Sequence, residues 1–458
     1  MRFPLRATGA GATIGPSPQE VHRCCFIPII RELTWAELPG WVAALSRNAE
    51  LERDTEAIVA QVLAEVSAEG LAAGLRFTER FDGMRLDAGN LRVPVAVMQY
   101  AVDRLRREQP GLIAALEQLV AGVRAFAQAQ RSAIADVGLA LPGGGSVGER
   151  WVPLAAVGVY IPGGRAFYPS TLAMTVVPAQ VAGVRRIVAV TPPRAEGTDP
   201  LVLATAALLG LEELVTLGGA QGVAWLAYGE PCVDLVAGPG NRFVAEAKRQ
   251  LQGRCGIDSI AGPTELLVIA DDSADADQVA EDLLAQAEHD PDAAAVLVSE
   301  DAAFLRAVAD RLPARVESSP RKAILEASLS QHGRLVRGDR ETLVGLAQAW
   351  APEHLELQVR DPEAWVPRLT AAGALFIGAS SAEAFGDYGA GPNHVLPTSR
   401  TARFTSPLGV ATFMKRQSLL RLSAADAAAH APWVAALAEA EALPHHAASA
   451  RLRGASHP

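Results

Sequence analysis

The sequence predicts an α/β fold: two parallel α/β domains, a helical N-terminal segment and a small helical C-terminal tail. Three observations carry this expectation. From Glu32 to Arg80 and from Val95 to Gln130 apolar residues recur at helical spacing, with Ile58, Val62, Val66 and Leu71 as one stripe. After Gly143–Gly145 short β-rich runs, each closed by Pro or Gly, alternate with Ala-rich helices, as in a parallel sheet. The alternation starts afresh near Gly262, which marks another unit.

The first α/β stretch offers the strand candidates VGVYIPGG, RRIVAVTPP, ELVTLGG and CVDLVAGPGN, separated by helices such as Leu201–Leu209. The other offers strand ELLVIADD, helix Asp277–Glu288, strand AAVLVSE, helix Ala302–Leu312 and strand ALFIGAS. Beyond Pro407 the chain is again Ala-rich and helical. Residues 1–28 read as a disordered extension, because the longest apolar run there, CCFIPII, is broken by a proline and is too short to span a bilayer.

With 458 residues, 50% hydrophobic and 20% charged, the chain has the material for large cores. Its net charge is -10 and its basic residues cluster no further than Arg106-Arg107 and Arg185-Arg186, so nucleic acid is not expected as a partner. No membrane segment is expected either. Cys24, Cys25, Cys232 and Cys255 are too few for a disulfide framework and lack C-x-x-C spacing, which fits a reducing cytoplasm.

Four places could carry chemistry. In AFGDYGAGPNHVLPT, from Ala384 to Thr398, glycines and prolines forbid a long helix and place Asp387, Tyr388, Asn393 and His394 on a tight loop. An ordinary turn with self-bonded Asp and Asn is the bland alternative. Gln286 and His289 stand three apart near the end of an expected helix, a metal-ligand spacing, although His289 could equally cap that helix. Such a site would need a carboxylate and another imidazole, for which Asp387 and the pair His445-His446 are candidates. Glu353 and His354 adjoin after Pro352, and an adjacent carboxylate and imidazole suit two proton transfers, though an isolated pair is commonly a surface feature. The turns Tyr160–Gly164 and Gly238–Phe243 follow expected strands, where glycines let backbone N–H groups approach a phosphate; tight βα turns explain them too. Glu441 and His446 lie near the C-terminus, and their use in a site would require a docked tail, one route to a dimer.

Taken in order, VGVYIPGGRAFYPS, TLGGAQG, AGPGNRFVAEAKRQL, AGPTELLVIAD, QAEHDPD, APEHLEL, GDYGAGPNHVLPT, TARFTSPL and EALPHHA closely resemble the L-histidinol dehydrogenase family, from about Leu33 to Arg453. The resemblance implies a zinc- and NAD-dependent enzyme, with one zinc per subunit, that oxidises a small amino alcohol through the aldehyde to the carboxylate. It implies metal ligands Gln286, His289, Asp387 and, from the other subunit of a domain-swapped homodimer, His446. It assigns Glu353 and His354 as the catalytic pair, and Thr264, His394 and Glu441 as substrate contacts beside His354 and the metal ligands. Tyr160, Gln221 and Asn241 match dinucleotide contacts. The implied division is a first, Rossmann-like but incomplete domain of 29–158 plus 264–408, a second, dinucleotide-binding one of 159–263, and a tail of 409–458. Thr264 stands where the family usually has serine, and Gln348 where it usually has asparagine. A sister dehydrogenase acting on another small primary alcohol, such as a sulfonated propanediol, is the competing reading; Glu441 argues against it by charge.

Overall fold

A computed structural model describes residues 30–45, 53–163, 169–230 and 232–455, so the expected extension 1–28 lies outside the described residues. Contacts group them into two compact units, one within Met1–Ala49, Gly262–Ala384 and Pro397–Ser406, the other within Glu50–Ala261, Phe385–Leu396 and Pro407–Pro458.

The first unit is built on a parallel sheet in the order Ile30–Glu32, Arg334–Arg337, Ala294–Ser299, Glu265–Ala270, His354–Gln358, Ala374–Ile377. Its three central strands are buried at every position, because helices cover both faces. Side-chain alternation sorts them between two cores: Leu267, Ile269, Val296 and Val298 enter one, Leu266, Val268 and Leu297 the other. Helix Ala276–Ala287, capped by the Asp275 carboxylate on the Asp277 N–H at 2.7 Å, packs in the second core through Val279 and Leu283. Helix Arg340–Trp350 ends on Ala351, whose left-handed φ of 50° turns the chain into Pro352 and the strand His354–Gln358.

The second unit holds a parallel sheet in the order Glu213–Val215, Arg186–Val190, Ala156–Tyr160, Leu235–Ala237, Gly256–Ile257. The helices from Arg53 to Ala133, expected with the other α/β domain, group here instead, whereas Leu38–Leu45 stays with the first unit. Their apolar stripes explain why: Met98, Val102, Leu116 and Val123 share a core with Val157 and Leu172, and Val59, Val62 and Val66 share one with Val223 and Trp225. Of the expected stripe Val62 and Val66 are fully buried, but Ile58 is exposed and its neighbour Val59 is buried in its stead. Helix Pro110–Ala133 is long and apolar enough to cross a bilayer by length and composition, yet it spends Ile113, Leu116, Leu119 and Val123 on this core.

An antiparallel sheet of Met414–Arg421, Ser146–Pro153 and Val137–Ala140 completes the unit. Its first strand interrupts the region expected to be helical; helices Ala424–Ala440 and Pro444–Gly454 follow. Buried Asp426 ties them to the sheet by accepting hydrogen bonds from Gly143 N and Gly145 N, each at 2.7 Å.

Candidate active site

In the first unit the chemistry collects at the N-terminal edge of the sheet. The strand His354–Gln358 lies between Glu265–Ala270 and Ala374–Ile377, with His354 paired to Leu266 and Ala374. Central placement buries both members of the pair, Glu353 to 7% exposure and His354 to 4%. Glu353 Oε2 accepts a hydrogen bond from Glu265 N at 3.2 Å. His354 Nδ1 lies 3.1 Å from the Glu265 carbonyl oxygen. A carbonyl only accepts, so Nδ1 carries the proton and Nε2 keeps the lone pair that a general base needs. Carboxylates of Glu353 and Glu383 stand 3.8 and 3.7 Å from Nδ1 and stabilise the imidazolium that forms once Nε2 is protonated.

Helix Ala276–Ala287 brings fully buried Gln286 to Thr264, whose hydroxyl takes the Gln286 amide N–H at 3.1 Å. The extra methyl of Thr264 therefore leaves its hydroxyl engaged. His289 was expected on the helix but stands past its last residue, with its N–H on the Gln286 carbonyl at 3.3 Å. Its imidazole and the buried Glu383 carboxylate offer ligand atoms within 4.8 Å of each other. The short helix Glu383–Tyr388 carries Asp387 one turn after Glu383, on the same face. The imidazole nitrogen of His289 and the carboxylate of Glu383 are donors of the kind that can hold a divalent metal ion.

From Phe385 to Leu396, Asp387 included, the chain belongs to the second unit. His394 is held at both ring nitrogens: Nδ1 is 3.2 Å from the Asp387 carbonyl oxygen and Nε2 3.2 Å from the Thr171 hydroxyl. Asn393 is structural, donating to the Met174 carbonyl at 2.6 Å and accepting from Val395 N at 2.9 Å, whereas Tyr388 is exposed. Glu441 caps the end of helix Ala424–Ala440 and His446 lies on helix Pro444–Gly454, and both are exposed in the single chain.

An acid pair is formed by Glu356, further along the strand His354–Gln358, and Asp282 of helix Ala276–Ala287. Glu356, two residues after His354 and on the same face, accepts from the Glu383 backbone N–H at 2.7 Å. Gln358 donates to both Glu356, at 3.3 Å, and Asp282, at 3.2 Å. Burial first, and the nearby Asp282 charge next, push Glu356 up to about 8; burial also raises Asp282 to about 6. Glu356 therefore keeps the proton that the pair shares. A carboxyl raised in the folded state contributes stability that is present below its unfolded value near 4.3 and is lost as pH rises through about 8. Glu356→Gln, which cannot ionise, is expected to flatten that loss by on the order of 2 kcal/mol between about pH 6 and 8.5. Urea midpoints at the two pH values check it; parallel losses in variant and parent contradict it.

In the second unit the two glycine-rich turns leave adjacent strands, Ala156–Tyr160 and Leu235–Ala237. The strand order reverses between these two, and the carboxyl edge at such a reversal is where open α/β sheets bind ligands. Buried Tyr160 accepts the Gly219 N–H at 3.1 Å, and burial pushes its phenol up to about 12, so it stays neutral. Gln221 is buried and donates to Asp82 at 2.9 Å. Helix Gly219–Tyr228 has Gly218, without a side chain, at its N-cap, and its first N–H is the one that Tyr160 accepts. By contrast, Asn241 caps helix Arg242–Gln250 itself, accepting from Phe243 N and Val244 N at 3.1 and 3.2 Å.

A family model described as histidinol dehydrogenase matches residues 45–454. The chain belongs to the histidinol dehydrogenase family. The histidinol dehydrogenase of Ruegeria pomeroyi is 43% identical over 418 residues, 90% of this chain and 95% of that protein. That of Synechococcus sp. is 45% identical over 404 residues, covering 87% and 92%. A crystal structure of histidinol dehydrogenase from Elizabethkingia anophelis superposes with a TM-score of 0.85 at 30% identity, over 93% of this chain and 98% of that one. Membership makes the chain an oxidoreductase of alcohol and aldehyde groups.

Three groups near the expected residues escaped the sequence reading. Glu383 had a signal, its four-residue spacing to Asp387. Thr171 and the Asp282–Glu356 pair had none, because each is brought to its place by tertiary packing. Gln348, which departs from the family pattern, binds Thr370 Oγ1 at 2.9 Å and accepts from Thr370 N and Ala371 N at 3.0 Å; its role in the chain is to hold that loop.

Proposed function

We propose that the chain oxidises L-histidinol through L-histidinal to L-histidine in two NAD-linked steps, the end of histidine biosynthesis. The observation that carries this reading is the buried Glu353–His354 pair, with Nδ1 of the histidine occupied by a carbonyl and Nε2 left as base. Zinc, held by Gln286, His289, Asp387 and His446 of a second subunit, supplies the fixed positive charge that orients the imidazole and amine of the substrate. Tyr160, Gln221 and Asn241 would hold NAD, which would supply the hydride acceptor. His354 takes the hydroxyl proton as the first hydride leaves. Glu353 then takes a proton from water as its oxygen adds to the aldehyde carbon, and the hydrate so formed gives up the second hydride. Thr264 and His394 position the substrate, and the Glu441 carboxylate faces its cationic amine.

The sheet of the second unit, counted within that unit, runs 3-2-1-4-5, and the first unit's sheet does the same once its edge strand Ile30–Glu32 is set aside, which supports an incomplete Rossmann-like reading of both. A homodimer sharing its sites through an exchanged C-terminal tail accounts for the exposure of Glu441 and His446. It also accounts for exposed Leu139, Leu419, Leu420, Trp433 and Leu437 on the antiparallel sheet and the last helices. The free thiols Cys232 and Cys255 suit the reducing cytoplasm, and the acidic net charge suits a chain with no nucleic-acid partner. The sulfonated-diol alternative draws no support from the relatives. Counting NADH formed per L-histidinol consumed tests the reading, with about two expected.

A further inference from the structure

The turn Gly238–Asn241 is gripped by a buried ion pair that none of the chemistry above uses. Lys248 and Asp258 pair with each other, each side chain 2% exposed. Asp258 Oδ2 accepts the Gly238 N–H at 2.8 Å, and Lys248 Nζ donates to the Gly238 carbonyl at 3.0 Å. Both backbone groups of one glycine are thus fixed by opposite charges. The two side chains come from different places, Lys248 from the helix that the turn opens and Asp258 from the end of the edge strand Gly256–Ile257.

The position tolerates little else. Gly238 has a φ of +106°, and a Cβ there would meet the Tyr160 carbonyl oxygen at 2.3 Å. The turn therefore runs against the end of the neighbouring strand, beside one expected dinucleotide contact, Tyr160, and leads directly into another, Asn241. A buried ion pair is a poor investment in stability alone, since apolar residues of similar size commonly serve as well. What it provides is direction: two charged groups orient a peptide unit that packing alone would leave to rotate.

We propose that Lys248 and Asp258 are positioning residues for the dinucleotide, holding the Gly-Pro-Gly-Asn turn in its binding shape before the nucleotide arrives. This rests on the reading of that turn as part of the NAD site. Lys248→Met alone leaves a buried, uncompensated Asp258 and is expected to damage folding. The informative variant is Lys248→Met with Asp258→Asn, which removes both charges at nearly constant volume.

The measurement is the dissociation constant of NADH alone, from its fluorescence, on parent and double variant, with the melting temperature of each. Binding at least about tenfold weaker at near-parental melting temperature is expected, with the KM for NAD raised and the KM for the alcohol unchanged. Binding within about twofold of the parent overturns the inference. A parent that binds no NADH removes the dinucleotide reading and the inference with it, whereas tight binding by both proteins removes the inference alone. Hydrogen exchange in the unliganded parent needs no variant: the Gly238 amide is expected to exchange as slowly as the central strands. Exchange at the rate of exposed loops would contradict a preformed clamp.

Discussion

Glu353→Gln is expected to stop the reaction at the aldehyde. The glutamine keeps an acceptor for Glu265 N, which Glu353 now binds at 3.2 Å, so the strand edge and the urea midpoint should stay near parental. What it loses is the base for water. General-base assistance is commonly worth about 10²–10⁴-fold, and acid formation should fall by that factor. His354 is untouched, so the first oxidation survives and the NADH yield drops from about two towards one per alcohol. Rapid-quench analysis of aldehyde and acid gives the answer; acid formed at the parental rate would remove Glu353 from the role assigned to it.

The second large effect is expected at His289. If the imidazole is a metal ligand, His289→Asn should lose most of its zinc on dialysis and at least about 10²-fold in turnover, because a Lewis-acid centre supplies several kcal/mol of stabilisation. If it merely capped helix Ala276–Ala287, the cost would be at most about 1 kcal/mol of stability and no metal. His289 stands just past the C-cap Glu288, a position open to either role, and its ligand atoms lie within 4.8 Å of those of buried Glu383. Zinc per chain, measured beside turnover in excess zinc, separates the two, and a variant that keeps both contradicts the metal assignment.

The sheets were readable in the sequence because their central strands are buried on both faces and so appear as unbroken apolar runs between Gly and Pro. Where the helices of the first third belong was not readable. An apolar stripe says that a helix face is buried, but not against which sheet, and of two adjacent apolar residues Val59 rather than Ile58 joins Val62 and Val66 on the buried face. The strand Met414–Arg421 was hidden for a related reason: only its central partner, Ser146–Pro153, with Arg150 and Gln417 267 residues apart, makes it a strand. Glu353 and His354 were legible as a pair, but their burial, and the carbonyl that fixes the imidazole tautomer, come from the neighbouring strand. Asn393 illustrates the opposite error. It looked like site chemistry in a polar loop, and packing spends both ends of its amide on backbone.

The most direct test of the account is the yield of NADH per L-histidinol consumed by the purified chain, with a chelator and again after zinc is restored. About two NADH per alcohol, abolished by chelation and recovered with zinc, is the predicted result. No NADH from the zinc-loaded protein would contradict it.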